Sequence, residues 1–448
     1  MLAPPQAVKH ASELLAYATV DRDRLGLVRE YWKGRQRLPA VIPESAPREV
    51  REMARMSRVN ICEIVVNSLT QSLFVDGYRA GLPGRAMADE NLPVWQAWQA
   101  NRMDKWQTAI IRPTVAYGTG YATVLPGDTW PVMRPVSPRR MFAWYGEDRD
   151  WPVMALERTS VDTWRLYDDE AVYFLGREPN VPDDRVQFLE SRVHNLGVVP
   201  VVRFQDEVDL DAWDEVGYDD DQPVMGQVAP LMKLQDQVDF TTFSLLVAQH
   251  YSAFRQRYIL GWVAETEEQK LKASASRLWT FDDHPDEIKI GELSQTTLDG
   301  YIASREATIR HAAALSQTPT HELIGDLVNL SAEALAAAEA GKDRKVDERK
   351  TGLGESFEQV FALSAAIMGE EVPESAQVVW RDTSASSFAA IVDGLGKLTT
   401  MLHIPPQELW ERVPGATQQD VGRWKAAAER GDSLSWLNEL LERQASDV

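Results

Sequence analysis

Residues 331–368 set the strongest constraint on the fold. Leu335, Ala338, Lys342, Val346, Arg349, Leu353, Phe357, Val360, Phe361 and Ser364 recur at steps of three and four, which predicts one long helix from Ser331 to about Met368. Gly341, Gly352 and Gly354 are candidate kinks within it. A second helical pattern, Leu298–Leu315, precedes it, and residues 316–330 join the two. Pro lacks a donor and Gly has no helical bias, so Pro319 and Gly325 are expected to keep the middle of that joint from being helical. Asn329 or Ser331 can cap the long helix. Two helices meeting at a capped polar loop, with no catalytic set around it, read as mechanical parts.

The other segments predict an α+β, predominantly helical chain. Helices are expected over 10–36, 48–57, 61–74 and 92–117, the last carrying Trp95, Trp98 and Trp106 on one face. Val75–Arg79 reads as a short strand. Between 118 and 205 the character changes to short β-branched or aromatic runs at 118–125, 132–136, 141–145, 153–157, 161–166, 171–175 and 198–204. Pro, Gly and Asp turns separate them, which predicts an antiparallel sheet rather than βαβ units. The acidic run Asp206–Asp221 reads as a solvated loop. A stripe of Leu231, Leu234, Val238, Thr241, Leu245 and Ala248 then predicts a helix over 224–252, about 40 Å long at about 1.5 Å per residue. Residues 254–295 read as a small mixed insert. It has a strand at 257–262, a polar helix near 265–274, and a strand pair at 278–281 and 288–290. From Val378 the chain reads as a strand followed by short helices, broken at residues 404–408.

Charge and cysteine usage exclude several classes. Lys and Arg number 47 against 68 Asp and Glu, a formal charge of −21, so the chain is not built to neutralise phosphates or to favour an anionic membrane. Cys62 is the only cysteine, which rules out intrachain disulfides and multi-thiolate zinc sites and points to a reducing compartment. The first nine residues, with Pro4 and Pro5, lack the apolar core of a signal peptide, and no apolar run approaches the roughly 20 residues of a membrane span.

No residue set in the sequence reads as an enzyme's. There is no Gly-x-x-x-x-Gly-Lys-[Ser/Thr], and the glycine pairs at 352/354 and 394/396 lack a third glycine and a preceding strand. His321-Glu322 opens like a zinc-protease motif, but Gly325 stands where the second histidine must be. His10, His194, His250, His284, His311 and His403 are scattered singly, and Cys62 lies on an apolar helix face where a buried, inert thiol is expected. No cofactor or metal is implied. Most tryptophans read as core, while Trp262 and Trp279, in the mixed insert, fit a partner interface.

The segment Gln317-Thr318-Pro319-Thr320-His321, with Asn329-Leu330-Ser331-Ala332-Glu333-Ala334-Leu335, Glu339 and Lys342, resembles tailed-phage portal proteins of the SPP1 (Gp6-like) type. So do Tyr31-Trp32-x-Gly34 with Leu38-Pro39, Val59-Asn60 with Val65-Val66-Asn67, and Val75–Arg79. Their order and spacing carry the resemblance, over about residues 20–430.

The resemblance implies a portal fold with wing, stem, clip and crown, assembling into a closed ring, typically a dodecamer, at one capsid vertex. Double-stranded DNA would pass through the ring without sequence specificity. The implied partners are the terminase large subunit, the head-tail adaptor, and the major capsid and scaffold proteins, with no membrane; the protein would be made in the host cytoplasm and end in the virion. It implies a wing over 1–223, stem helices at 224–252 and 298–315, a clip at 253–297, a tunnel loop at 316–330, a further wing helix at 331–377 and a crown at 378–448. Gln317, Thr318, His321, Asp326 and Asn329 would face DNA, and Trp262 and Trp279 would meet clip partners. The loop lacks a basic cluster, since Lys342, Arg344 and Lys345 lie beyond it on the helix. A wall that does not hold phosphates suits a channel that must pass any sequence, because each cation on a phosphate adds affinity and friction. Another head-tail connector or adaptor component of a virion stays open as the alternative.

Overall fold

The computed structural model describes residues 1–38, 42–43, 45–79, 81–82, 85–86, 92–178, 185–207, 226–252, 257–260, 289–292, 297–325, 332–373, 375–381, 383, 388–413, 416, 420–428 and 430. The chain divides into two compact units. The first comprises Met1–Gln36, Asn60–Met232 and Ala312–Val448, the second Arg37–Val59 and Lys233–His311.

In the first unit, α1 (Pro4–Trp32) starts earlier than its apolar spacing suggests. Pro4 and Pro5 sit where a helix needs no backbone donor, and the Gln6 side chain accepts from Ala3 N–H at 3.0 Å. The buried face, Ala7, Ala11 and Leu14, is made partly of small residues and so reads weakly in sequence. This face covers a five-stranded antiparallel sheet ordered β10-β9-β8-β7-β6, built from β6 (Met141–Tyr145), β7 (Pro152–Arg158), β8 (Thr163–Tyr167), β9 (Ala171–Arg177) and β10 (Val186–Val193). Strand alternation divides the side chains between its two faces. Leu156, Trp164, Leu166, Tyr173 and Leu175 meet α1. Ala155, Tyr167 and Val172 point the other way and pack with Tyr121, Val136 and Val201 of a three-stranded sheet.

That second sheet is β11-β4-β5, from β4 (Thr119–Leu125), β5 (Val132–Val136) and β11 (Val201–Gln205). The strands are antiparallel, as the turn spacing predicts, but they form two sheets rather than one, and β10 was not foreseen. A buried network ties the sheets together. Arg134 on β5 donates to Glu157 on β7 at 2.5 Å, and the Tyr167 hydroxyl on β8 donates to the same carboxylate oxygen. Both burial and the Glu157 charge push the Tyr167 hydroxyl up, keeping it a proton donor.

The expected helix over 92–117 is two helices, α4 (Pro93–Ala100) and α5 (Met103–Tyr117). Arg102 between them adopts a left-handed φ of 55°. Asn101 keeps right-handed backbone angles at the end of α4, and its side chain ties it to the chain at the start of β5, donating to Pro131 O at 2.7 Å and accepting from Met133 N at 3.0 Å. No Gly or Pro marks this break. Trp95 and Trp98 are buried and stacked at 5.7 Å, whereas Trp106 is 41% exposed and does not share their face. The remaining elements of this unit are α3 (Ile61–Gln71), capped by Asn60, and β1 (Val75–Arg79) with β14 (Gln377–Trp380). The last two pair antiparallel across 300 residues of sequence. A β2–β3 hairpin (Gly81–Leu82, Arg85–Ala86) follows β1, and α10 (Phe388–Leu402) and α11 (Pro406–Leu409) follow β14; the break expected at 404–408 is confined to 403–405, because Pro406 starts a helix where its missing donor costs nothing.

His194, just after β10, supplies a pH handle. Its Nδ1 accepts from Leu196 N at 3.2 Å, which leaves the proton on Nε2, 3.1 Å from Asp168 O. Burial lowers its pKa below the ordinary value of 6.5. The unfolded chain therefore takes up this proton first, so stability contributed here is complete above pH 6.5 and falls as the medium is acidified through that value. Thermal scans between pH 7.5 and 5.5 are expected to show this loss in the wild type and a smaller one in His194→Gln.

In the second unit, α2 (Arg48–Met56) matches its sequence reading, and α6 (Met232–Ser252) begins after a 3-10 turn at Ala229–Leu231. Val238 on the expected stripe is buried and Leu234, Thr241, Leu245 and Ala248 are half-buried. Asp239 joins α6 to the segment after α2, accepting from Val59 N at 3.0 Å and from Gln235 Nε2 at 2.8 Å. β12 (Arg257–Leu260) pairs antiparallel with β13 (Lys289–Glu292). The expected helix at 265–274 and strand at 278–281 lie outside the described residues.

Candidate functional site

The joint between the two long helices is built from its ends inward. α7 (Asp299–Ser316) closes with Gln317 in the left-handed region at φ 54°. Thr318 N donates to Ala313 O at 3.0 Å and Gln317 N to Ala314 O at 3.3 Å, the paired bonds of a Schellman cap with glutamine in place of the usual glycine. The Ser316 hydroxyl reinforces the end by donating to Ala312 O at 2.8 Å, and it shares a hydroxyl–hydroxyl bond with Thr318 Oγ1 at 3.0 Å.

The middle of the joint is helical for one turn, contrary to expectation. α8 (Thr320–Ile324) starts after Pro319, whose fixed φ suits a helix entry, and stops at Gly325, φ 82°. Proline and glycine bound the turn instead of preventing it. α8 packs against α3, and Leu323 on α8 is buried.

The long helix α9 (Ala332–Met368) runs for 37 residues and stays helical through Gly341, Gly352 and Gly354. Its stripe is borne out from Lys342 onward: Val346, Leu353, Phe357, Val360, Phe361 and Ser364 are buried, while Ala338 is exposed. Three cations on this face, at steps of three and four, hold the joint. Lys342 Nζ reaches Glu322 Oε1 on α8 at 2.7 Å. Lys345 Nζ donates to Ser316 O, the C-terminal carbonyl of α7, at 2.9 Å, and to Gln227 Oε1. Arg349 Nε donates to Asp206 Oδ1 at 3.1 Å, and its Nη2 bonds Glu207.

Asp206 and Gln227 are in turn fixed at the end of α5. Asp206 N donates to Gly118 O at 3.0 Å, and Gln227 N to Val115 O at 2.9 Å. Gly226 makes the approach possible: at φ 151°, a Cβ there would stand 2.4 Å from Gly118 N.

Burial sets the electrostatics of this clamp. Lys345 is 7% exposed and Arg349 and Asp206 each 3%. Desolvation pulls the Lys345 ammonium below its usual pKa, against the upward pull of Asp206. It pushes the Asp206 carboxyl above the ordinary range, opposed chiefly by Arg349. Asp206, read as the start of a solvated acidic loop, is instead a buried partner, because two cations on α9 need a counter-ion there. Residues 208–221 of that run lie outside the described residues. Sequence placed Lys342 and Arg349 on the inward stripe, but nothing local identified their partners, 20 and 143 residues away.

Of the five residues expected to face DNA, the described residues include three. Gln317 is exposed at the strained cap. Thr318 is buried and occupied by Ser316, and His321 is half-buried with Nε2 3.8 Å from Glu339 Oε1. Asp326 and Asn329 lie outside the described residues, as do Trp262 and Trp279. Among the described residues, no group of three or more His, Cys, Asp or Glu could hold a metal, and no helix is long and apolar enough to cross a membrane. Cys62 is fully buried.

The long helix α9 thus clamps a short capped turn at the end of α7, within the same unit as the two sheets. The chain belongs to the family of phage portal proteins of the SPP1 Gp6-like type, whose model matches residues 12–433. It is 26% identical over 396 residues to the portal protein of Mycobacterium phage L5, covering 81% of this chain and 76% of that one. It is likewise 26% identical over 423 residues to the portal protein of Mycobacterium phage D29, covering 87% and 82%. Among solved structures, a chain from the virion of a native gene transfer agent particle aligns at a TM-score of 0.49 and 13% identity, over 84% of this chain and 97% of that one.

Proposed function

We propose that this chain forms a closed ring, dodecameric in the virion, at a single capsid vertex, and that double-stranded DNA is packaged and ejected through its centre. A ring of this kind needs a heterologous interface whose rotation closes, so each subunit presents two different surfaces. The ring docks the terminase large subunit during packaging and the head-tail adaptor afterwards, and it meets the major capsid and scaffold proteins at the vertex. Its role is structural, with no catalytic step assigned to it. Synthesis is in the host cytoplasm.

The observation that carries this reading is the fastening of residues 316–325 to α9 by Lys342 and Lys345. A segment that resists a moving duplex needs a rigid base, and the salt-bridged Lys342 with the buried, hydrogen-bonded Lys345 on a long helix provide one. Within the proposal, residues 224–252 and 298–315 are the stem, 253–297 the clip with Trp262 and Trp279 at its partner interface, and 316–330 the tunnel loop. Residues 1–223 and 331–377 form the wing and 378–448 the crown. Gln317, Asp326 and Asn329 lead the DNA-facing set, while Thr318 and His321, tied to Ser316 and placed beside Glu339, hold the loop's shape. The cations nearest the loop are committed to protein partners, and the net charge of −21 disfavours sticking to phosphates, which leaves the duplex centred and unread.

The test is complementation of a portal-deficient phage with the His321→Ala/Asn329→Ala double variant. Heads are expected to assemble normally while packaging or retention of DNA changes. Unaltered packaging and retention would remove the tunnel-loop assignment.

A further inference from the structure

We infer that a four-arginine cavity in the two-sheet domain is a docking site for an acidic peptide segment of a partner protein. The cavity, ≈ 580 Å³, lies between the second half of α1, the β5–β6 turn and the β7–β8 turn. Arg22, Arg139, Arg140 and Arg158 line it together with the hydroxyl residues Ser137, Thr159 and Ser160, and among the described residues no carboxylate lines it. Four cations converging on one cavity run against the rest of a chain in which acids exceed bases by 68 to 47.

The arginines have donors to spare. Arg139 Nε is buried and has no hydrogen-bond partner among the described residues. Arg22 faces one carboxylate, Asp23, at 3.8 Å. Arg158 spends Nε and one Nη on the turn carbonyls of Ser160 and Val161, at 3.1 and 3.0 Å, which fixes its fork at the cavity wall. Beneath them an adjoining recess of ≈ 20 Å³, room for a group the size of one water, is floored by Leu15, Met141, Leu156 and Trp164. The Trp164 indole N–H, on a side chain only 2% exposed, is a second buried donor with no partner among the described residues.

This arrangement matches carboxylates on a flexible chain. Guanidinium forks take carboxylate oxygens two at a time, and a flexible chain can bring several carboxylates to the four arginines together. A DNA duplex presents its phosphates along a stiff rod, reaches a recessed cavity with few of them, and meets a protein of net charge −21 on the way. The same charge disfavours non-specific capture of any acidic probe, so binding of one is informative.

The experiment is fluorescence anisotropy of the full-length protein with a labelled peptide of the sequence of residues 207–221, which carries eight carboxylates and no Lys or Arg. Saturable binding is expected. Arg22→Gln/Arg140→Gln should weaken it about tenfold or more, the scale of losing charge-assisted bonds. Arg344→Gln, at an exposed site on α9, should leave it unchanged. A version of the peptide with Asn and Gln for Asp and Glu should fail to compete. If circular dichroism shows the double variant misfolded, Arg140→Gln alone, at an exposed position, takes its place. The proposal is overturned by no binding, by equal binding to wild type and variant, or by competition from a short DNA duplex or inorganic pyrophosphate at least as effective as the unlabelled peptide.

Discussion

Phe361→Ala is expected to cost about 3–5 kcal/mol, the range for truncating a fully buried phenylalanine. The ring is 0% exposed and sits in an aromatic cluster that joins β1, α4, β11 and β14 to α9. It stacks on Tyr78 of β1 at 4.2 Å and on Trp98 of α4 at 5.1 Å, with Trp95 at 6.2 Å. One turn earlier, Phe357 meets Phe204 of β11 at 4.7 Å and Trp380 of β14 at 6.0 Å. Removing Phe361 leaves a cavity between rigid rings that cannot collapse, so transfer and cavity terms add. The urea midpoint of the variant should fall well below that of the wild type, and Phe361→Leu should lose less. A midpoint unchanged in Phe361→Ala would mean that α9 is not the core helix described here.

Arg349→Met is expected to be comparably damaging, by about 3–5 kcal/mol, for an electrostatic reason: it strands the Asp206 carboxylate, whose side chain is fully buried. Adding Asp206→Asn should recover part of the loss, because the stranded charge is then gone, so the double variant should be more stable than the sum of the two single changes predicts. The pH dependence has a definite sign. The carboxyl already lies above its ordinary value of 3.8, and losing the arginine that opposes this raises it further. The folded variant then holds a proton that the unfolded chain releases, so its stability falls as pH rises through that window. The deficit of Arg349→Met relative to wild type should therefore be larger at pH 8 than at pH 5. A pH-independent deficit would place the lost energy in packing rather than in the ion pair.

What the sequence made legible was what periodicity encodes. The stripe on α9 gave the long helix and put Lys342 and Arg349 on its inward face, and β-branched runs between turn residues gave seven strands between 118 and 205. What it hid depends on distant partners. The helix break at Arg102 follows an Asn101 held by two backbone bonds at the start of β5, Asp206 leaves solvent because Arg349 arrives 143 residues later, and β14 finds β1 across the chain. The arginine cavity was equally silent, since Arg22, Arg139, Arg140 and Arg158 come from three separate places in the sequence. At the joint, Pro319 and Gly325 were noticed for the right reasons and misread in effect, because the residues that forbid helix at one position also start and stop one on either side.

The central claim is ring assembly, and negative-stain electron microscopy of the purified protein, with mass photometry on the same sample, tests it most directly. Rings of about a dozen subunits with a central hole are the predicted result, since a heterologous interface that closes gives a point-symmetric ring. A uniform monomer or dimer, persisting when capsid and scaffold proteins are supplied, would contradict it and favour an adaptor role in the virion.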